Sequence, residues 1–182
     1  MEKQNVKIRQ INTEINDLEI YSKVVKKICE LEGGEDGLLT SSGVMAIFST
    51  IIGLLSAGDN IIIPPTLSAD TLLFFKRVLS KFGITHTIVD LNNERLFKES
   101  ISPVTKMVFV ETPSNPILEI YELKKISKIC SKNYIYFVVD NTNATPCLQN
   151  PIKFGADIVI HFANKFINSV NGDSCGIIVG NG

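Results

Sequence analysis

Three segments of this chain carry polar, reactive side chains at the ends of apolar runs. The run 106–110 is followed by Glu111-Thr112-Pro113-Ser114-Asn115-Pro116, the run 135–139 by Asp140-Asn141-Thr142, and the run 158–160 by His161-Phe162-Ala163-Asn164-Lys165. If the runs are parallel strands, these residues gather at one edge, where open α/β sheets collect their ligands. Upstream, Ser41-Ser42-Gly43 opens an apolar helix whose free N–H groups suit an anion. Taken singly, each feature has a plainer reading: a solvated lysine, a turn aspartate, a serine cap. Taken together, they are the parts of a pyridoxal 5'-phosphate site. A lysine amine holds the aldehyde, an acidic residue keeps the pyridine nitrogen protonated so that the ring draws in electrons, and a helix N-terminus takes the phosphate.

The elements that must position these residues alternate along the chain. Val24, Val25, Ile28 and Leu31 recur at helical spacing, which predicts a helix over 21–31 ended by Gly33-Gly34. Ser41 and Ser42 offer caps for a second helix through Leu55. Gly58-Asp59 reads as a turn, 60–63 as a buried strand stopped by Pro64-Pro65, 72–82 as a helix, and 84–89 as a strand after Gly83. The run 106–110 is a strand, 123–130 an amphipathic helix with Lys124, Lys125 and Lys128 outward, and 135–139, 158–160 and 176–179 are further strands. Strands separated by helices predict an α/β fold, a mostly parallel sheet covered on both faces.

With 182 residues, 45% hydrophobic and 20% charged, the chain has the material for a folded core. Its net charge of -1 excludes a basic nucleic-acid surface and an acidic tail. Neither a Walker lysine nor a GxGxxG pattern follows Ser41-Ser42-Gly43, which argues against a nucleotide-binding domain. Cys29, Cys130, Cys147 and Cys175 show no CxxC spacing, so no metal site is expected and the thiols read as reduced and intracellular. The polar start at Met1 predicts no signal peptide. The apolar stretch 44–57 is too short to span a bilayer, so no membrane contact is expected and the chain reads as cytoplasmic. Only Arg9, Arg77 and Arg95 are arginines, the usual bidentate clamp for phosphate or carboxylate. Any anion site must therefore lean on backbone amides or on another chain.

Six segments carry a resemblance to a known family: LEGGEDGLLTSSGVMAI (31–47), LLSAGDNIII (54–63), FGITHTIVD (82–90), VFVETPSNPILEI (108–120), VVDNTNATPCLQNPIKFGADIVIHFANKF (138–166) and GDSCGIIVG (172–180). The chain resembles the pyridoxal phosphate enzymes of cysteine and methionine metabolism, which include cystathionine γ-synthase, the cystathionine lyases and methionine γ-lyase. The resemblance implies the type I aminotransferase-like fold. It implies that Lys165 is the Schiff-base lysine and Asp140 the partner of the pyridine nitrogen, with Thr142 in the same motif. Asn115 would lie near the cofactor's phenolic oxygen, and Gly43 and Val44, after Ser42, would offer amides to the phosphate. The implied reaction is a lyase or transferase step on cystathionine, cysteine, methionine or O-acyl-homoserine. The implied organisation is an arm over residues 1–20 and a cofactor-binding large domain over residues 21–182, with the family's C-terminal domain absent. A homo-oligomer or a separate C-terminal chain would then complete it.

The departures from the family pattern concentrate in the site. The stacking tyrosine position falls on Ser68, with Ala69 in place of a glycine and only Thr71 kept. The lysine segment, commonly Ser-Ala-Thr-Lys, reads Phe162-Ala163-Asn164-Lys165, so Phe162 replaces a hydroxyl with bulk. The positions that would send a Tyr-x-Arg pair to the partner's phosphate hold Thr13 and Ile15. These changes raise a second expectation from the sequence. The chain would be a catalytically impaired member acting as a half-enzyme or as an assembly or binding subunit.

Overall fold

The computed structural model describes residues 19–167 and 174–181. Thr13, Ile15 and all but two residues of the expected arm lie outside them; Glu19 and Ile20 are already helical, the start of helix α1 over 19–32. The strands are β1 (Asp36–Thr40), β2 (Asn60–Ile63), β3 (Thr85–Ile88), β4 (Thr105–Glu111), β5 (Tyr136–Asp140), β6 (Ile158–Phe162) and β7 (Gly176–Gly180). The helices after α1 are α2 (Gly43–Leu54), α3 (Ala69–Arg77), α4 (Glu94–Ser100), α5 (Leu123–Lys132), α6 (Thr145–Leu148) and α7 (Ala163–Phe166). The strands form one seven-stranded sheet in the order β1-β7-β6-β5-β4-β2-β3. The run from β3 to β6 is parallel, and β7 is antiparallel to both β6 and β1.

Strand side chains alternate between the faces, and each face has its own cover. Ile61, Ile63, Met107, Phe109, Val138 and Ile160 pack with Ile47 and Ile51 of α2 and Phe75 of α3. Ile62, Val108, Val110, Phe137, Val139 and Val159 pack with Phe97 of α4 and Leu123, Ile126 and Ile129 of α5. Val25, Ile28 and Cys29 of α1 cover Ile177 and Val179 of β7. The near-continuous apolar runs follow from burial on both faces. The four cysteines are free thiols, and burial pushes Cys130 up to about 12.

Several element boundaries differ from the expectation, each for a local reason. The predicted helix 72–82 starts earlier, at Ala69, and breaks at Val78 into a 3-10 turn, Leu79–Phe82, closed by Gly83 at φ 72°. Strand β1 was not expected; Asp36 to Thr40 alternate between exposed and half-buried along the sheet edge, so no apolar run marks them. Helix α4 is seven residues long with Phe97 its buried residue, and it starts where the Asn93 side chain accepts from Leu96 N at 3.1 Å. Strand β7 is an interior strand between β1 and β6, covered by α1.

The geometry at the start of α2 depends on a close approach. Ser42 caps the helix by accepting from Met45 N at 3.2 Å, and Thr40 Oγ1 donates to Ser42 O at 2.8 Å. Gly176 of β7 passes beneath this turn, and a Cβ there would lie 2.2 Å from Ser42 O and 2.4 Å from Thr40 Oγ1. The backbone cannot yield without moving the cap. Gly176→Ala is therefore expected to cost about 1–3 kcal/mol in urea unfolding; an unchanged midpoint would show that the turn is free to shift.

Candidate active site

The parallel register brings the carboxyl ends of β4, β5 and β6 together. Glu111 pairs with Asp140, and Asp140 with Ile160. By alternation Glu111, Asp140 and Phe162 share the face covered by α2 and α3. Two carboxyls thus stand side by side, only 2% and 3% exposed. Glu111 accepts from Ser68 N at 3.0 Å and from Asn143 Nδ2 at 3.2 Å. Asp140 accepts from the amide of Thr142 at 3.0 Å and from the Thr142 hydroxyl. The same hydroxyl oxygen accepts from Phe162 N at 2.9 Å, which ties the end of β5 to the end of β6.

Burial shifts both carboxyls. Desolvation pushes Asp140 above the ordinary carboxylate range, against the two Thr142 hydrogen bonds and the positive field of His161 and Lys165. Desolvation also raises Glu111, the neighbouring Asp140 adds to the rise, and the Ser68 amide, Lys165 and Asn143 oppose it. Lys165 stands on α7, one turn beyond β6, with an exposed side chain whose Nζ lies 5.1 Å from the centroid of the Phe162 ring. Its charge reaches both acids.

The other sequence-predicted residues divide. Ser42, Gly43 and Val44 form the first turn of α2, where the amides of Gly43 and Val44 precede the first intrahelical bond, Ala46 N to Ser42 O. Asn115 lies exposed on the loop after β4, and no hydrogen bond ties it to Asp140, Thr142 or Lys165. Ser68 turns its hydroxyl to Thr71 Oγ1 at 2.9 Å and presents no ring.

A second buried network lies behind the site. Glu32, at the end of α1, meets His161 Nε2 at 2.5 Å through Oε1, the oxygen that also accepts from Asn141 Nδ2 at 2.8 Å. Both residues of the pair are fully buried. Gln149 Nε2 closes the network by donating to Asn141 Oδ1 at 2.9 Å and to Thr112 O at 3.1 Å. Asn141 directly follows Asp140, and His161 follows Ile160, the residue paired with Asp140, so this network fixes the backbone carrying the acid and the lysine.

Residues 19–182 match the family described as Cys/Met metabolism PLP-dependent enzyme. This chain belongs to that family. It is 41% identical over 154 residues to L-methionine gamma-lyase of Fusobacterium nucleatum, covering 84% of this chain and 39% of that protein. It is 41% identical to cystathionine beta-lyase of Lactococcus lactis, covering 85% of this chain and 40% of the other. It is 40% identical to cystathionine gamma-synthase/O-acetylhomoserine (thiol)-lyase of Bacillus subtilis, covering 84% and 40%. Among solved structures, cystathionine gamma-lyase from Lactobacillus plantarum complexed with L-serine superposes with a TM-score of 0.82 at 34% identity, covering 85% of this chain and 40% of that chain. The chain therefore spans about two-fifths of the length of the relatives it matches.

The family's cofactor is pyridoxal 5'-phosphate. At the ring end the residues fit it. A desolvated acid held by Thr142 stands at the strand edge, and an amine follows on α7, just after the next strand. At the phosphate end they do not fit in the same way. A Cβ built on Gly43 would meet the Phe162 ring at 2.0–2.3 Å, so the ring lies directly against the first turn of α2.

Sequence reasoning missed Glu111 and the Glu32–His161 pair as parts of the site. Glu111 was visible at the end of an apolar run, but only register sets it beside Asp140. Glu32 and His161 are 129 residues apart and carry no spacing signal.

Both networks can be probed through stability. An Asp140 pKa raised in the folded state means that the ionised acid destabilises the fold. That cost is absent below the unfolded value of about 3.9 and grows as pH rises toward the folded one. Asp140→Asn, which keeps an acceptor for Thr142, is expected to stabilise the cofactor-free chain at about pH 7 and less so at about pH 5. Urea midpoints at the two pH values test this, and a gain that grew on acidification would contradict it. Glu32→Ala removes the partner of His161 Nε2 and one of the two acceptors of Asn141 Nδ2, and the expected loss is about 1–3 kcal/mol by the same measurement.

Proposed function

We propose that this chain is the cofactor-binding portion of a pyridoxal phosphate-dependent lyase or transferase acting on sulfur amino acids. The substrate class is cystathionine, cysteine, methionine or O-acyl-homoserine, the compounds and chemistry of its named relatives. The observation that carries the reading is Asp140: a buried carboxyl clasped by Thr142, beside Glu111 and within the field of Lys165. Its domains are an arm over residues 1–20 and the large domain over residues 21–182. No helix among the described residues is long and apolar enough to cross a membrane. We place the chain in the cytoplasm, in keeping with its free cysteines.

When bound, the cofactor supplies an electron sink conjugated to the substrate's α-carbon. Asp140 would hold the proton at the ring nitrogen, and its burial keeps water from competing for it. Thr142 orients that carboxyl through both its hydroxyl and its amide. Lys165 would hold the aldehyde through Nζ and, once displaced by the substrate amine, move the α-proton through the same atom. The amides of Gly43 and Val44, in the turn capped by Ser42, would be the donors available to the phosphate. Asn115 would approach the phenolic oxygen.

A second reading, a half-enzyme or assembly subunit completed by another copy or a separate C-terminal chain, is favoured by the apolar surface at the same edge. Ile117, Ile120, Leu148 and Phe166 are 63%, 69%, 84% and 63% exposed on the segments that follow β4, β5 and β6. Such side chains at a ligand-collecting edge suit an interface.

The purified chain, mixed with pyridoxal 5'-phosphate, is expected to gain the visible absorbance of lysine-bound cofactor, and Lys165→Ala to lose it. Lys165 is exposed, so the variant's stability should stay within about 0.5 kcal/mol of the wild type. Equal spectra from the two proteins would reject the assignment. Turnover of cystathionine, methionine or cysteine by the chain alone would reject the need for a separate C-terminal chain, and turnover by its monomer the need for a second copy.

A further inference from the structure

Phe162 occupies a position that no other part of the site explains. It ends β6 on the same face as Glu111 and Asp140, and its backbone N–H is anchored by Thr142. Its ring is half-buried and packs, with Val44, against the core beneath α2. On one side it abuts the bare Cα of Gly43, where even a methyl group would meet it at 2.0 Å. On the other side it lies under Lys165 Nζ at 5.1 Å. An apolar ring thus fills the space between the lysine amine and the first turn of α2. An anion held by those amides would lose hydration against the ring and gain no side-chain donor from this position.

We propose that Phe162 determines cofactor specificity: it removes the premium on the phosphate, so that this chain takes a pyridoxal-type aldehyde with or without its 5'-phosphate. The inference rests on the reading of Lys165 as the amine that holds the aldehyde. No arginine is needed for such a ligand, and neither Arg77 nor Arg95 is placed at this edge: Arg77 ends α3, and Arg95 pairs with Glu99 on α4.

The test compares pyridoxal 5'-phosphate with 5-deoxypyridoxal, which lacks the phosphate and cannot close to an internal hemiacetal. The Lys165 Nζ lone pair attacks the aldehyde carbon, water leaves, and a C=N bond forms. Borohydride then delivers hydride to that carbon, a proton from solvent goes to nitrogen, and a stable secondary amine remains. Peptide mass spectrometry locates the adduct and gives half-saturation for each aldehyde, independently of turnover. Wild type is expected to prefer the phosphorylated aldehyde by less than about threefold, and millimolar inorganic phosphate to leave its labelling unchanged. Phe162→Ser opens the space and restores a hydroxyl, and its preference is expected to rise to about 10-fold or more, the scale of one hydrogen bond to a charged group. Phe162→Leu keeps the apolar bulk and should behave as wild type; Phe162→Thr, which also carries a hydroxyl, replaces the serine variant if that fails to fold. A wild-type preference above about threefold, protection by inorganic phosphate, or no gain in the serine or threonine variant overturns the proposal while leaving Lys165 as the reactive amine. Absence of any Lys165 adduct, with wild type and Lys165→Ala labelled alike, overturns the underlying reading and the proposal together.

Discussion

Two carboxyls buried side by side are the constraint around which this site is organised. Glu111 and Asp140 are cross-strand neighbours on parallel strands, and their pairing is fixed by the same ladder that holds the centre of the sheet. Burying an acid disfavours its charge, and placing a second acid beside it disfavours that charge further. The surroundings answer with donors: the Ser68 amide and Asn143 on Glu111, the Thr142 amide and hydroxyl on Asp140. These donors come from two connections at the carboxyl edge, Ser68 from the one after β2 and Thr142 and Asn143 from the one after β5. The loops there are ordered by the need to satisfy the acids, and this is what gives the edge a definite shape.

Strand parity then decides what else belongs to the site. Residues two apart share a face, so Ile160 and Phe162 join Asp140, and His161 points away to Glu32. The two networks are stacked through the sheet. One offers a protonatable carboxyl to a ligand, and the other locks the backbone of β5 and β6 from behind. A buried polar pair of this kind is weak evidence for net stability, because the cost of desolvating its groups offsets their attraction. Its effect here is positional. Glu32 binds Asn141 and His161 through one oxygen, so the residues after Asp140 and before Lys165 are held relative to each other.

The legible part of the fold was the part buried on both faces. Strands β2, β4, β5 and β6 are continuous apolar runs, and their ends named the edge where Asp140, Thr142 and Lys165 stand. What was not legible lay where burial is partial or the partners are remote. The edge strand β1 alternates half-buried and exposed residues after a glycine pair, and α4 keeps a single buried ring. Glu111 stood after an apolar run, and only the register of β4 on β5 sets it beside Asp140. The Glu32 to His161 pairing is a property of topology: α1 covers β7, β7 lies beside β6, and only that adjacency brings the end of α1 to His161.

Phe162 shows how one side chain can divide a site whose other parts agree. The backbone at this position is held as the acid requires, since its N–H donates to the hydroxyl that clasps Asp140. A hydroxyl side chain there would extend the polar edge toward α2. The phenyl ring instead extends the apolar core outward until it touches Gly43, and only a glycine tolerates that contact. The ring and the glycine are thus mutually dependent: bulk at one position requires its absence at the other. The α2 N-terminus is consequently packed as the end of a core helix, although its sequence, Ser42-Gly43-Val44, has the form of an anion cradle. The ring end of the site keeps its chemistry because its donors are backbone-tied and buried. The phosphate end was free to change because it was built from amides, which persist whatever side chain lies beside them.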